Sequence, residues 1–220
     1  MTRKPFIGSF NLFYLVPFCI WSLLGGVLLY HYKASQLFFW INTHNSPQAD
    51  VLFEWCSRMG EFWGILVIAL LLIISFRPFR NIWFAIAVLA GTIIPSLITQ
   101  WVKHLVAAPR PMSLFAQVPY LHRLETWDLL HSNSFPSGHT TGAFSFFLIV
   151  SLWLPPRYRA WGLAAFVLAL ATAYARVYLT AHFFADVYAG SLIGTLFAIL
   201  IFELLTWCRY RFHGNATAEK

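Results

Sequence analysis

An all-α, polytopic membrane protein, a six-transmembrane-helix bundle, is the fold class this sequence predicts. Three observations predict it. Only 10% of the 220 residues are charged and 59% are hydrophobic, whereas an ordinary soluble domain carries about 25% charged residues. Mean hydropathy is +0.65. The apolar residues also gather into six runs, roughly 11–30, 62–76, 82–101, 139–154, 160–178 and 187–207, with lengths near those that cross a bilayer. The chain reads as one membrane-embedded domain, 1–220, whose chemistry is concentrated in 103–186.

Taken in order, the first run follows Arg3 and Lys4. It is long enough to span and no small-residue cleavage site follows, so it reads as a retained helix rather than a signal peptide. In the connection that follows, 50–59 sets Val51, Leu52, Phe53, Trp55 and Met59 among polar residues. This fits either an amphipathic helix on the membrane surface or an irregular loop anchored by aromatics. The second run is short and is expected to extend back through Met59. Gly25-Gly26, Pro95 and the Gly190/Gly194 pair lie inside runs, where small residues let helices approach closely. The connection 103–135 is the longest and contains His122, Glu125, Asp128 and His131, and a loop of this length in a compact protein is often functional. The turns at 77–81 and 155–159 are short and basic.

Charge orients the bundle. With the N-terminus cytoplasmic, the inner segments hold Arg3, Lys4, Arg77, Arg80, Arg157, Arg159, Arg209, Arg211 and Lys220. The outer ones hold Lys33, Arg58, Lys103, Arg110, Arg123 and Arg176. The excess places both termini inside. The sequon at Asn215 would then face the cytoplasm and go unglycosylated. A net charge of +7 could suggest nucleic acid, but the basic residues sit at run ends and form no stripe, so no nucleic-acid partner is expected. Cys19, Cys56 and Cys208 offer neither a disulfide framework nor zinc spacing.

Three clusters fall at the outer ends of the third to sixth runs. Lys103 and Arg110 leave one helix end, where they could clamp a phosphate, Arg110 with two prongs and Lys103 as a point charge. Alone they read more readily as snorkelling anchors. Pro136-Ser137-Gly138-His139 combines helix-start amides, a hydroxyl and a glycine in an anion-binding nest with a histidine beside it. Alone it reads equally as a turn and cap preceding a span. In 176–186, Arg176 supplies a cation, and His182 and Asp186, four apart, share a helix face. There the carboxylate would hold one imidazole nitrogen and leave the other as base or nucleophile. A capping polar pair is the alternative for this stretch. Together the clusters deliver three cations, two histidines, one carboxylate and the nest to one surface. With one aspartate and no cysteine partner, no metal set is recognisable and no cofactor is implied. The charge suits a phosphate held by protein groups.

In order and internal spacing, Lys103…Arg110-Pro111, Pro136-Ser137-Gly138-His139 and Arg176…His182…Asp186 resemble the tripartite signature of the type 2 phosphatidic acid phosphatase superfamily. The likeness covers the chain from Lys103 to Asp186. One position departs: Ala175 stands where that family usually has a serine, a lesser phosphate contact. The resemblance implies a metal-independent lipid phosphatase. His182 would form a phosphohistidine, Asp186 would fix its tautomer, and His139 would serve as acid and then base. Lys103, Arg110, Ser137, Gly138 and Arg176 would bind the phosphate. Expected substrates are phosphatidylglycerol phosphate, phosphatidic acid, undecaprenyl pyrophosphate or a lipid A phosphate, handled in the bilayer without an obligate protein partner. The expected location is a bacterial cytoplasmic membrane with the site facing outward. The same residues would also serve a lipid phosphotransferase, and a non-enzymatic lipid transporter or binding protein is the reading from a different class.

Overall fold

In the computed structural model, which describes residues 10–124 and 130–214, each of the six apolar runs forms a helix, and no strand occurs among the described residues. The order is α1 Leu12–His31, α2 Ala34–Asn42, α3 Pro47–Arg58, α4 Phe62–Ser75, α5 Ile82–Val106, α6 Pro111–Phe115, α7 Gly138–Trp153, α8 Trp161–Tyr178 and α9 Phe184–Gly214. The tract expected to be either a surface helix or a loop is helical as α3, and α2 adds a helix that the apolar pattern had not marked. Arg3, Lys4, Glu125, Asp128, Asn215 and Lys220 lie outside the described residues.

Helix starts follow the local chemistry. Asn11 and Asn81 accept the N–H groups of Phe13 and Trp83 at 3.1 and 2.9 Å, and Ser46, followed by Pro47, caps α3. The Asn11 amide also donates to the carbonyls of Ser151 and Arg159 at 3.2 and 2.9 Å, tying the start of α1 to the α7–α8 turn.

α7 is the axis of the bundle. Every residue from Thr140 to Leu152 is buried, and α5, α8 and α9 pack around it. Such a helix needs no polar face. Two close crossings set its position. Pro95 in α5 lacks an N–H and strands the Gly91 carbonyl; the Ser145 hydroxyl of α7 donates to that carbonyl at 2.7 Å. On the other side, a Cβ at Gly194 of α9 would lie 2.3 Å from the Thr141 carbonyl oxygen, so only glycine fits. Gly194→Ala is therefore expected to cost on the order of 1–3 kcal/mol, read as a lower unfolding temperature in detergent micelles.

The outward faces are apolar. α1 buries only Tyr14 and Gly25 and exposes Leu12, Leu23, Leu24 and Val27, a surface suited to lipid. Among the described residues, four helical segments are long and apolar enough to cross a membrane: Leu12–His31, Ile82–Phe115, Trp161–Tyr178 and Phe184–Arg209. Pro47–Arg58 and Phe62–Ser75, bent by 78° at their junction, make a fifth if counted as one span. α7, with 16 residues, is shorter than a bilayer-crossing helix of ordinary length.

Candidate active site

α5, α7, α8, the α8–α9 turn and the α3–α4 corner meet around a cavity of about 340 Å³. Lys103, Arg110, Gly138, His139, Arg176 and His182 all line it, as do Gly60, Glu61, Thr99 and Gln100. Three cations with low exposure, Lys103 at 9%, Arg110 at 4% and Arg176 at 5%, make it a site for an anion.

His182 lies between α8 and α9. The chain returns over the end of α8, with the Ala181 and His182 N–H groups both donating to the Arg176 carbonyl at 3.1 Å. This turn takes Thr180 to φ 59°, an outlying conformation for a β-branched residue. Side chains hold it there: the buried Asn42 amide donates to Thr180 Oγ1 at 2.9 Å and to the Tyr178 carbonyl at 3.0 Å. Asp186, in the first turn of α9, reaches back as an acid at a helix start does. Its Oδ2 accepts from the Phe183 N–H at 2.9 Å and the Ser134 hydroxyl at 2.5 Å. It also faces His182 Nδ1 at 3.3 Å. The histidine and aspartate expected to share a helix face thus meet across the helix start.

Held this way, His182 presents Nε2 on the side of Arg110, whose Nη1 lies 3.4 Å away. Burial first, then the charges of Arg176, Arg110 and Lys103, hold its imidazole well below the ordinary histidine range. This favours the uncharged ring with a free lone pair, the form in which an imidazole can act as a nucleophile.

The other predicted residues take more specific positions than their spacing suggested. Arg110 is the frame of the site. Nε donates to the Ser132 carbonyl at 2.8 Å, Nη1 to that of Ala181 at 2.9 Å and Nη2 to that of Asn133 at 3.3 Å. The fork expected to grip an anion with two prongs is thus largely committed to backbone, and its charge remains on the cavity wall. Ser137 is fully buried. Its Oγ accepts from the Thr140 hydroxyl at 3.0 Å, and its N–H donates to the Asp186 carbonyl at 3.0 Å. It caps α7 and joins it to α9. Gly138 faces open space: a Cβ there would meet only Thr99 Cγ2, at 4.0 Å. Ala175 is buried and away from the cavity lining. His122 pairs with Asp50 at 2.8 Å outside the cavity, and His131 contributes a carbonyl to the Arg110 N–H.

Three residues escaped the sequence reading. Ser134 contacts Asp186 and lies 3.4 Å from His182 Nδ1. Ser57 of α3 accepts from Arg176 Nη1 at 2.7 Å. Glu61 Oε1 lies 3.6 Å from His139 Nε2, and that histidine holds the Glu61 carboxyl below the usual carboxylate range. Only the polar run 132–134 ahead of Pro136 hinted at the first. Glu61 resembled an ordinary acid at a helix start.

The chain is similar to known proteins along most of its length. An undecaprenyl-diphosphatase from Sulfolobus acidocaldarius is 28% identical over 207 residues, covering 92% of each chain. The crystal structure of Aquifex aeolicus LpxE matches with a TM-score of 0.62 at 25% identity, over 80% of this chain and 98% of that one. A transmembrane PAP2-type phosphatidylglycerolphosphate phosphatase from Bacillus subtilis shares the fold, with a TM-score of 0.54 at 18% identity over 86% and 94% of the two chains. The family model of the PAP2 superfamily matches residues 82–210, the stretch that carries every residue of the predicted site, and the chain belongs to that superfamily.

Proposed function

We propose that this protein is an integral membrane lipid phosphatase. It removes a terminal phosphate, as monoester or pyrophosphate, from a membrane lipid through a phosphohistidine. The observation that carries the reading is the placement of His182: Nδ1 faces Asp186 at 3.3 Å, and the ring lines a cavity shared with Lys103, Arg110 and Arg176. Its Nε2 attacks phosphorus in line, the N–P bond forms, and the leaving oxygen takes the bonding pair and a proton from His139. His139 then removes a proton from water, which attacks phosphorus. The N–P pair returns to Nε2 and inorganic phosphate departs. Asp186 holds the tautomer. Lys103, Arg110, Arg176 and the Gly138 amide stabilise the equatorial oxygens, and Ser137 acts from the cap that sets Gly138 and His139 in register.

The layout that suits this chemistry is one membrane-embedded domain of six spans, with α7 enclosed by the others. Both termini are cytoplasmic in a bacterial inner membrane and the site faces outward, as the distribution of basic residues supports. The similarity to an undecaprenyl-diphosphatase supports undecaprenyl pyrophosphate as one of the expected substrates. Purified protein is expected to release phosphate from at least one of phosphatidylglycerol phosphate, phosphatidic acid, undecaprenyl pyrophosphate and a lipid A phosphate in detergent micelles. Failure on the whole panel overturns the reading. The three protein cations take the part a divalent ion would play, so turnover is expected to persist in excess EDTA. Loss on chelation with recovery on adding magnesium refutes that element.

A further inference from the structure

Among the described residues, Glu61 is the one acid lining a cavity whose other charged walls are cations. It stands at the corner where α3 gives way to α4 through a 78° bend, and it lies close to His139. The corner is seated tightly. A Cβ at Gly60 would lie 2.5 Å from the His139 carbonyl oxygen and 2.7 Å from Thr172 Cγ2, so glycine is needed for this approach. Thr172 of α8 donates to the Cys56 carbonyl at 2.9 Å, and Arg176 donates to Ser57 at 2.7 Å. α8 therefore pins the end of α3, and the next residues deliver a carboxylate to the start of α7. The anchoring is more elaborate than a helix cap requires.

We propose that Glu61 is the positioning residue of His139. It holds the imidazole toward the leaving-group oxygen and favours the positively charged form that donates a proton. The proposal rests on the lipid-phosphate reading above. Its physical basis is a conflict within the site. Lys103, Arg110 and Arg176 gather the phosphate, and the same cations disfavour a further positive charge nearby. A general acid in such a place needs an anion of its own. Glu61 Oε1, 3.6 Å from His139 Nε2, is that anion. Asp186 serves the other histidine, so each histidine has its own carboxylate. When the P–O bond breaks, the departing oxygen keeps the electron pair and takes the His139 proton, leaving a neutral imidazole beside Glu61 that is ready to accept a proton from water.

A leaving group that departs readily as an anion does not need the acid. The test is a series of aryl phosphates from p-nitrophenyl to p-methoxyphenyl, hydrolysed by full-length protein in detergent. The quantity read is kcat/KM, which reports the step in which the leaving group departs. Glu61→Gln keeps the shape and removes the charge. It is expected to lose about tenfold or more on p-methoxyphenyl phosphate and no more than about threefold on p-nitrophenyl phosphate, steepening the dependence on leaving-group acidity. Glu61→Asp is expected to fall between Gln and the unaltered protein. An equal loss across the series, the mark of disturbed folding or binding, overturns the proposal, as does no loss at all. If the unaltered protein hydrolyses neither the aryl phosphates nor the lipid panel, the phosphatase reading itself fails, and the proposal with it.

Discussion

His182→Asn is expected to lower phosphate release by on the order of 10⁴-fold or more, and to abolish the acid-labile, base-stable label that a ³²P-phosphorylated substrate leaves on the unaltered protein. Asparagine suits this position. His182 is 1% exposed, and alanine would leave a hole beside Asp186 and Ser134. The amide still offers a polar group to Asp186 but has no nitrogen lone pair with which to form an N–P bond. The cations Lys103, Arg110 and Arg176 remain, so phosphate should still bind while turnover is lost. Radiolabel trapped on rapid acid-free quenching distinguishes this mechanism from direct attack by water. A variant that turns over at near-normal rates, or unaltered protein that is active yet never labelled, refutes the nucleophile.

The sequence exposed this residue through local chemistry. Arg176, His182 and Asp186 fall within eleven positions, and the contacts uniting them are local: an acid reaching back to the N–H of Phe183, and a turn closed on the Arg176 carbonyl. The long helices were readable for a similar reason, because a lipid-facing surface requires continuous apolar runs whatever the packing inside. What stayed hidden depends on distant pairs. Ser57 meets Arg176 across 119 positions, and Ser134 meets Asp186 across 52; nothing in local spacing announces either. Arg110 was legible as a cation but not in its use, because the carbonyls that occupy its fork belong to a loop and a turn whose paths the apolar pattern does not set. The number of spans was hardest to read. α7 looked like any other apolar run, yet it is enclosed by its neighbours along nearly all its length.

The second large effect separates the two histidines. The proposed mechanism gives His139 two tasks, donating a proton to the leaving oxygen and later taking one from water, and a single variant can expose both. With a lipid phosphate, whose alkoxide leaves poorly, His139→Gln is expected to slow phosphate release by roughly 10²–10⁴-fold, because neither step has its proton carrier. With p-nitrophenyl phosphate the first step does not need the acid, so the variant should release about one equivalent of nitrophenol per protein and then stall as phosphohistidine. The burst is the informative signal, since the stalled species can form only if His182 still attacks and His139 is absent from hydrolysis. The variant should also make the Glu61 substitution nearly silent, because a positioning carboxylate has no effect once the group it positions is gone. Combining His139→Gln with Glu61→Gln should therefore cost little more than His139→Gln alone. Full additivity of the two losses would place Glu61 on a separate path, acting on the substrate or on the fold rather than through the histidine.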